Sequence, residues 1–256
     1  MNGEIEVYPT KQSLIDRAAE LFVTIGNSAL SSRGRFAVSL SGGSTPEPLY
    51  RLLADRHRGD LDWSRTYFCL GDERFVPPDS PNSNFRMINA ALFEPLSIPE
   101  ENIFRWKTEL GDPDLIGVDY EETLHEVFSS AFDSVSDVPS FDLILLGLGP
   151  DGHTASIFPD SAAVDEESRN AVANWVGTMN AYRFTLTFNP INAAGNILFL
   201  VAGPDKAQVV NKLFKGETAE IPASKVKPID GRLIWILDEP AAKLLPPAAI
   251  SRVAAR

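Results

Sequence analysis

Apolar residues along this chain follow two alternating rhythms. From Leu14 to Ile25 the positions Leu14, Ile15, Ala18, Leu21, Phe22 and Ile25 recur at intervals of three and four, which predicts an amphipathic helix. Phe36 to Leu40 is instead a short, largely apolar run of strand length, and Thr66 to Leu70, Phe141 to Leu146, Ile197 to Ala202 and Leu233 to Leu237 repeat that form. Between these runs, helices are predicted over Pro46 to Asp55, Asn84 to Phe93, Val118 to Phe132 and Lys206 to Phe214. Strands alternating with helices predict an α/β fold on a mainly parallel sheet covered on both faces. Its ligand crevice is expected beyond the carboxyl ends of the strands.

No stretch of linker composition divides the chain, and no repeat of about 20 to 50 residues is present, so residues 1–256 are read as one domain. The run Pro77 to Asn84 is rich in Pro, Ser and Asn and reads as a loop. At 256 residues the chain has ample surface to bury in a core without a covalent staple.

Composition adds exclusions. The longest apolar runs, such as Ile197 to Ala202, fall well short of the roughly 20 residues needed to span a bilayer. The beginning of the sequence, with Glu4 and Glu6, lacks the basic and apolar regions of a secretory signal, so a cytoplasmic location is expected. Cys69 is the single cysteine, so no internal disulfide can form, and its neighbours Tyr67, Phe68 and Leu70 point to a buried, inert thiol. With 35 acidic and 23 basic residues the formal charge is −12, which opposes binding to nucleic acid or anionic lipid. The same charge repels a phosphorylated substrate, so any anion site must be local.

Four clusters could carry chemistry. Ser41-Gly42-Gly43-Ser44-Thr45 stands where a strand turns into a helix, with Thr45 read as the cap and Pro46 as the first helical residue. Backbone N–H groups there could meet an anion, although a plain tight turn is an equal reading. Asp72-Glu73-Arg74 follows another strand, and its Arg74 could stabilise a developing oxyanion or belong to an exposed loop ion pair. Asp151-Gly152-His153-Thr154 follows the glycine-rich turn Gly147-Leu148-Gly149-Pro150. Of the three histidines, only His153 lies at the carboxyl end of a strand, where an imidazole could take a proton from water and Asp151 could fix its tautomer. Arg183 and Lys206 are cations near a further strand end, suited either to a phosphate or to plain solvent. Zinc-like ligand spacing and a Gly-x-Ser-x-Gly elbow are both missing.

Taken together, Ser41 to Pro46, Gly71 to Arg74, Ser83 to Met87 and Gly147 to Pro159 resemble the 6-phosphogluconolactonase family in order and spacing. Arg183 to Thr187, Gly203 to Ala207 and Trp235 to Ala242 extend the resemblance over nearly the whole chain. It implies hydrolysis of 6-phospho-D-glucono-1,5-lactone to 6-phosphogluconate, the second step of the oxidative pentose phosphate pathway. It further implies no metal or organic cofactor and a three-layer αβα Rossmann-like fold shared with glucosamine-6-phosphate deaminases; no obligate protein partner is evident from the sequence.

Those deaminases are the rival reading, and a sugar-phosphate-binding module without catalysis is a third. Deaminases usually carry a tyrosine where this chain has Arg74 and a proton-exchanging glutamate where it has Phe158, which speaks against amine chemistry. By the lactonase resemblance His153 is expected to be the general base, Asp151 to orient it, Arg74 to stabilise the oxyanion, and Asp72 to hold substrate hydroxyls or Arg74. Ser41, Gly42, Gly43, Ser44, Thr45, Arg183 and Lys206 are expected around the phosphate. The segment Phe188 to Asn192 departs from the family pattern and bears on the local shape of the pocket.

Overall fold

The computed structural model describes residues 3–246. Ten strands form two sheets: β1 (Glu4–Tyr8), β2 (Phe36–Leu40), β3 (Thr66–Leu70), β4 (Asp72–Arg74), β5 (Ile103–Phe104), β6 (Leu143–Leu146), β7 (Ala171–Val176), β8 (Ala181–Leu186), β9 (Asn196–Val201) and β10 (Arg232–Asp238). Seven of them pair in parallel in the order β1-β10-β9-β6-β2-β3-β5. Every residue of β2 and β6 is buried, and so is every residue of β9 and β10 after the first. A strand hidden on both faces needs layers above and below it, as the α/β reading requires.

The first helix, α1 (Lys11–Arg33), is longer than its apolar rhythm suggests, because it begins on the polar residues Lys11 to Ser13 and runs past Ile25 through a mostly polar end that still buries Ala29 and Leu30. Thr10 and Ser13 form a capping box at its start, and Gly34 ends it in the left-handed conformation at φ 73°. Its buried face carries Leu14, Ile15, Ala18, Leu21 and Phe22, and it lies against β1, β2, β6, β9 and β10. α2 occupies Glu47–Arg56 and α3 Asn84–Ile88.

Two predicted helices change form. The stretch after α3 continues as a π-helical turn over Asn89–Phe93, where the Glu94 N–H returns to the Asn89 carbonyl. Pro95 follows at once, and a proline there has no N–H for the carbonyl four residues back, which favours the wider turn. The helix predicted from Val118 begins earlier and spans Pro113–Ala131, with Asp112 accepting from the Asp114 and Leu115 N–H groups.

The second sheet is absent from the sequence reading. β4, β8 and β7 pair antiparallel in that order, starting one residue beyond β3. Gly71 makes the change of sheet possible: its N–H still donates to the Leu40 carbonyl, while its own carbonyl accepts from the Leu186 N–H. One face of this sheet, with Phe184, meets Trp106, which stacks on Tyr120 of the helix Pro113–Ala131.

The strand order reverses beside β2. The chain runs outward through β3 and β5, then returns through the helix Pro113–Ala131 to place β6 on the other side of β2. The carboxyl ends of β2 and β6 therefore flank a topological switch point, the place where such sheets take ligands. Those ends continue into Ser41 to Thr45 and Gly147 to His153.

Candidate active site

His153 sits in a loop held by glycines. The Gly149 N–H donates to the His153 carbonyl at 2.8 Å, and the Gly152 N–H donates to the Gly149 carbonyl at 3.0 Å. Gly152 takes φ 89°, which only glycine adopts without strain, and its carbonyl accepts from the Ala223 N–H. A Cβ on Gly149 would overlap the His153 ring, so the imidazole lies close against bare backbone. On the ring itself, Phe158 stacks with centroids 4.1 Å apart and planes inclined by 26°.

The ring nitrogens are unequal. His153 Nδ1 and Asp151 Oδ1 are 2.6 Å apart, and the same oxygen accepts from the His153 N–H at 3.1 Å. A carboxylate at Nδ1 favours the tautomer protonated there and leaves a lone pair on Nε2. Among the described residues Nε2 has no protein partner, and the side chain is 27% exposed, so water can reach it. Burial pushes the Asp151 carboxyl up, but the hydrogen bond and charge of His153 outweigh that and hold it below its ordinary value. His57 pairs with Asp60 and His125 is exposed on the helix Pro113–Ala131, so neither enters the site.

Asp72, Arg74, Arg183 and Thr185 share one face of the antiparallel sheet, since Asp72 pairs with Thr185 and Arg74 with Arg183. The segment after His153 docks on that face. Ser156 Oγ donates to Asp72 Oδ2 at 2.8 Å, the Ser156 N–H donates to Thr185 Oγ1, and Asn174 Nδ2 donates to the Ser156 carbonyl. These bonds tie the histidine loop to Asp72 across 84 residues of sequence. Asp72 itself is thereby engaged by a serine rather than by Arg74.

Arg74 donates through Nη1 to the Asn82 carbonyl at 2.6 Å. Arg183, expected near a strand end, lies inside β8, directly opposite Arg74. Burial and the facing Arg74 charge lower the proton affinity of its guanidinium, partly offset by Asp72 and Glu73. Like charges directly opposite on a sheet repel, and an anion between them would turn that repulsion into attraction. Arg183 also donates to the Tyr182 carbonyl and to Met179 Sδ.

The glycine loop after β2 differs in detail from its expected form. Thr45 caps nothing: α2 starts at Glu47 with Pro46 already in helical backbone at its N-cap and no side-chain cap bond. Proline fixes a φ that suits the helix, so the chain enters helical geometry without a hydroxyl cap. The Ser41 N–H is also unavailable to an anion, because it donates to the Tyr50 hydroxyl, which in turn donates to the Ser41 carbonyl at 2.7 Å. Ser41 Oγ is buried with no partner. Gly43 takes φ 104°. The Ser44 carbonyl accepts from Lys11 Nζ at 2.7 Å, which brings to this loop a cation absent from the sequence reading.

Lys206 closes a 3-10 turn after β9, the strand beside β6, and pairs with Asp205 at 2.9 Å. Its turn is pinned from β10, where both Asp238 carboxylate oxygens accept from the Gly203 N–H at 3.0 Å. Among the described residues no hydrogen bond or ion pair joins Lys206 to the other candidates, so its place here rests on the adjacency of β9 and β6. The unusual segment Phe188–Asn192 forms a short helix capped by Thr187.

Two residues without an expected role organise the site. Glu73 is 2% exposed and accepts four hydrogen bonds, from the N–H groups of Arg74, Asn84 and Phe85 and from Ser83 Oγ. Burial raises its carboxyl above the ordinary value despite those donors. Asn84 is 1% exposed and donates through Nδ2 to the Asp72 carbonyl. Glu73 stood in the Asp72-Glu73-Arg74 cluster and Asn84 in the Ser83 to Met87 motif, but neither pattern indicated these contacts.

Residues 9–235 match the family described as glucosamine-6-phosphate isomerases/6-phosphogluconolactonase. A 6-phosphogluconolactonase of Synechocystis is 39% identical over 250 residues, spanning 96% of this chain and all of that protein. The solved 6-phosphogluconolactonase of Trypanosoma cruzi superposes with a TM-score of 0.85 at 30% identity, covering 95% of this chain and 97% of the other. A monomeric glucosamine-6-phosphate deaminase, at 21% identity and a TM-score of 0.79 over 94% of this chain and 99% of the other, shares the fold.

Proposed function

We propose that this chain, which belongs to the glucosamine-6-phosphate isomerase/6-phosphogluconolactonase family, hydrolyses 6-phospho-D-glucono-1,5-lactone to 6-phospho-D-gluconate. The observation that carries this reading is the His153–Asp151 contact at 2.6 Å, which leaves Nε2 as a free base in a water-accessible loop. Relatives named 6-phosphogluconolactonase over almost their full length support the same reading.

In the proposed mechanism, Nε2 takes a proton from water as the water oxygen bonds to the lactone carbonyl carbon. Arg74, with nearby backbone N–H groups, stabilises the oxyanion. The bond from that carbon to the ring oxygen then breaks, and the imidazolium gives its proton to the departing ring oxygen. The new carboxylic acid ionises into solvent. Asp151 keeps the proton on Nδ1, and Asp72, held by Ser156, faces the substrate hydroxyls.

The 6-phosphate is assigned to the loop Gly42 to Thr45 with Arg183 and Lys206, where local cations offset the repulsion of a chain with formal charge −12. With its N–H taken by Tyr50, Ser41 has only its buried, unpartnered hydroxyl left to offer there. The facing pair Arg74 and Arg183 brings the phosphate end and the lactone end of this assignment within one sheet register of each other. The reaction is the second step of the oxidative pentose phosphate pathway, and we assign it to the cytoplasm. Among the described residues no helix is long and apolar enough to cross a membrane.

A pH-stat assay on freshly made lactone, with spontaneous opening subtracted, tests the reading. Acid release above the uncatalysed rate supports it, and release at the uncatalysed rate overturns it. Ammonia release from glucosamine 6-phosphate would instead favour the deaminase reading, against which Phe158 stands packed on His153 where a carboxylate would be needed.

A further inference from the structure

The motif Ser83-Asn84-Phe85 has no part in the proposed chemistry, yet its asparagine touches both halves of the site. Asn84 opens α3, and Glu73 Oε1 accepts from its N–H at 2.7 Å. Its Nδ2 donates at 2.9 Å to the carbonyl of Asp72, the first residue of β4. Its Oδ1 has no hydrogen-bond partner and lies against Gly42, so closely that a Cβ at position 42 would overlap it.

These two contacts bridge a gap that the sheet leaves open. β2 and β3 are neighbours, and their ladder ends with the Gly71 N–H donating to the Leu40 carbonyl. Beyond that bond the chains diverge, one into Ser41 to Thr45 and the other into Asp72 to Arg74. The Asn84 side chain touches both of them past the fork. A leucine has the same branched outline and would bury no unpartnered oxygen, so apolar packing alone does not call for an amide here. The amide supplies what leucine lacks, a donor for the Asp72 carbonyl beside an oxygen small enough to admit the Gly42 backbone.

We propose that Asn84 is a positioning residue that fixes the glycine loop against the Asp72–Arg74 strand, and thereby sets the preference for a phosphorylated over an unphosphorylated lactone. The proposal rests on the assignment of that loop to the substrate phosphate. Asn84 acts through Gly42 and Asp72 and touches no reacting atom. Without it the loop keeps its sequence but loses its set distance from the catalytic end, so anion binding weakens while proton transfer at His153 continues.

The test titrates inorganic phosphate calorimetrically into the full chain and compares phosphorylated with unphosphorylated gluconolactone as substrates. Asn84→Ala is expected to raise the phosphate Kd and the KM for the phosphorylated lactone by about tenfold, with kcat on the unphosphorylated lactone within about threefold of wild type. Asn84→Leu keeps the branched outline and loses the bond to Asp72. It is expected to shift in the same direction by less, and it serves if the alanine variant does not fold. A folded variant with wild-type phosphate Kd overturns the proposal, as does equal loss on both lactones, the mark of a merely structural role. Wild-type protein that binds no phosphate also overturns it. Wild-type protein that binds phosphate but opens neither lactone overturns the proposed activity alone, because the phosphate titration still decides the role of Asn84.

Discussion

Phe158 lies against the imidazole of His153 with ring centroids 4.1 Å apart, and it is 5% exposed. The stack holds the ring plane while Asp151 holds the tautomer, so the proposed base is fixed in both respects before substrate arrives. An aromatic pair of this kind is worth about 0.5–1.5 kcal/mol beyond its buried area, or roughly 2- to 13-fold in rate if all of it orients the base. Phe158→Leu is therefore expected to lower kcat by that factor with little change in KM. Phe158→Glu places a carboxylate beside the ring, favours the imidazolium, and should move the acid limb of the pH–rate profile to higher pH. Steady-state kinetics from pH 5 to 9 read both outcomes, and an unmoved acid limb in the glutamate variant would show that Phe158 does not face the titrating group.

His153→Ala removes the proposed base and is expected to cost about 10²- to 10⁴-fold in kcat, with substrate binding little changed. Asp151→Asn leaves the ring in place but puts an amide opposite Nδ1. A neutral amide can donate to Nδ1 as easily as accept from it, so the tautomer with a free Nε2 loses its advantage and kcat falls while KM holds. Wild-type turnover in the alanine variant would remove His153 from the mechanism.

The pair His153 and Asp151 was legible in the sequence because its geometry is local: two residues apart, after a glycine-rich turn, at the end of an unmistakable strand. Five of the seven parallel strands were legible for a similar reason, since each is a short apolar run. β1 was not, because Glu4 and Glu6 alternate with Ile5 and Val7, and β5 is only two residues long. β4 is three charged residues, which read as a loop until β8 pairs with it. The same distance in sequence hid Lys11 beside the glycine loop, Ser156 on Asp72 and Arg183 opposite Arg74. Each of those contacts is made by the fold and leaves no periodicity behind.

Glu73 offers a stability test with a definite pH dependence. All four of its partners are donors, so Glu73→Gln must turn an NH₂ group toward at least one N–H or lose a bond, at a cost of about 1–3 kcal/mol. The folded carboxyl lies above its ordinary value because burial outweighs the donors. A raised value means the folded state holds its proton more tightly, so this contribution to stability is present at low pH and lost as pH rises through the folded value. Glutamine does not titrate. The wild-type advantage over Glu73→Gln should thus be largest below the ordinary carboxylate range and narrow with rising pH. Urea midpoints at a series of pH values measure it, and a gap that widens with pH would reverse the sign argued here.

Gly149→Ala separates the position of the base from its chemistry. Gly149 does not need a positive φ, so alanine suits its backbone, but the added methyl would fall on His153 Nδ1 and Cε1 and on Asp151 Oδ1. The ring and its carboxylate must then move apart or swing away together, while the fold around them, held by Thr154 Oγ1 on the Gly147 carbonyl and by Ser156 on Asp72, is left intact. Displacing a catalytic group by about 1 Å can cost on the order of 10²-fold. The variant is accordingly expected to melt near wild type, to keep its affinity for inorganic phosphate, and to lose about 10²-fold in kcat. Retention of full turnover in a folded Gly149→Ala would mean that the Asp151–His153 geometry is not what sets the rate.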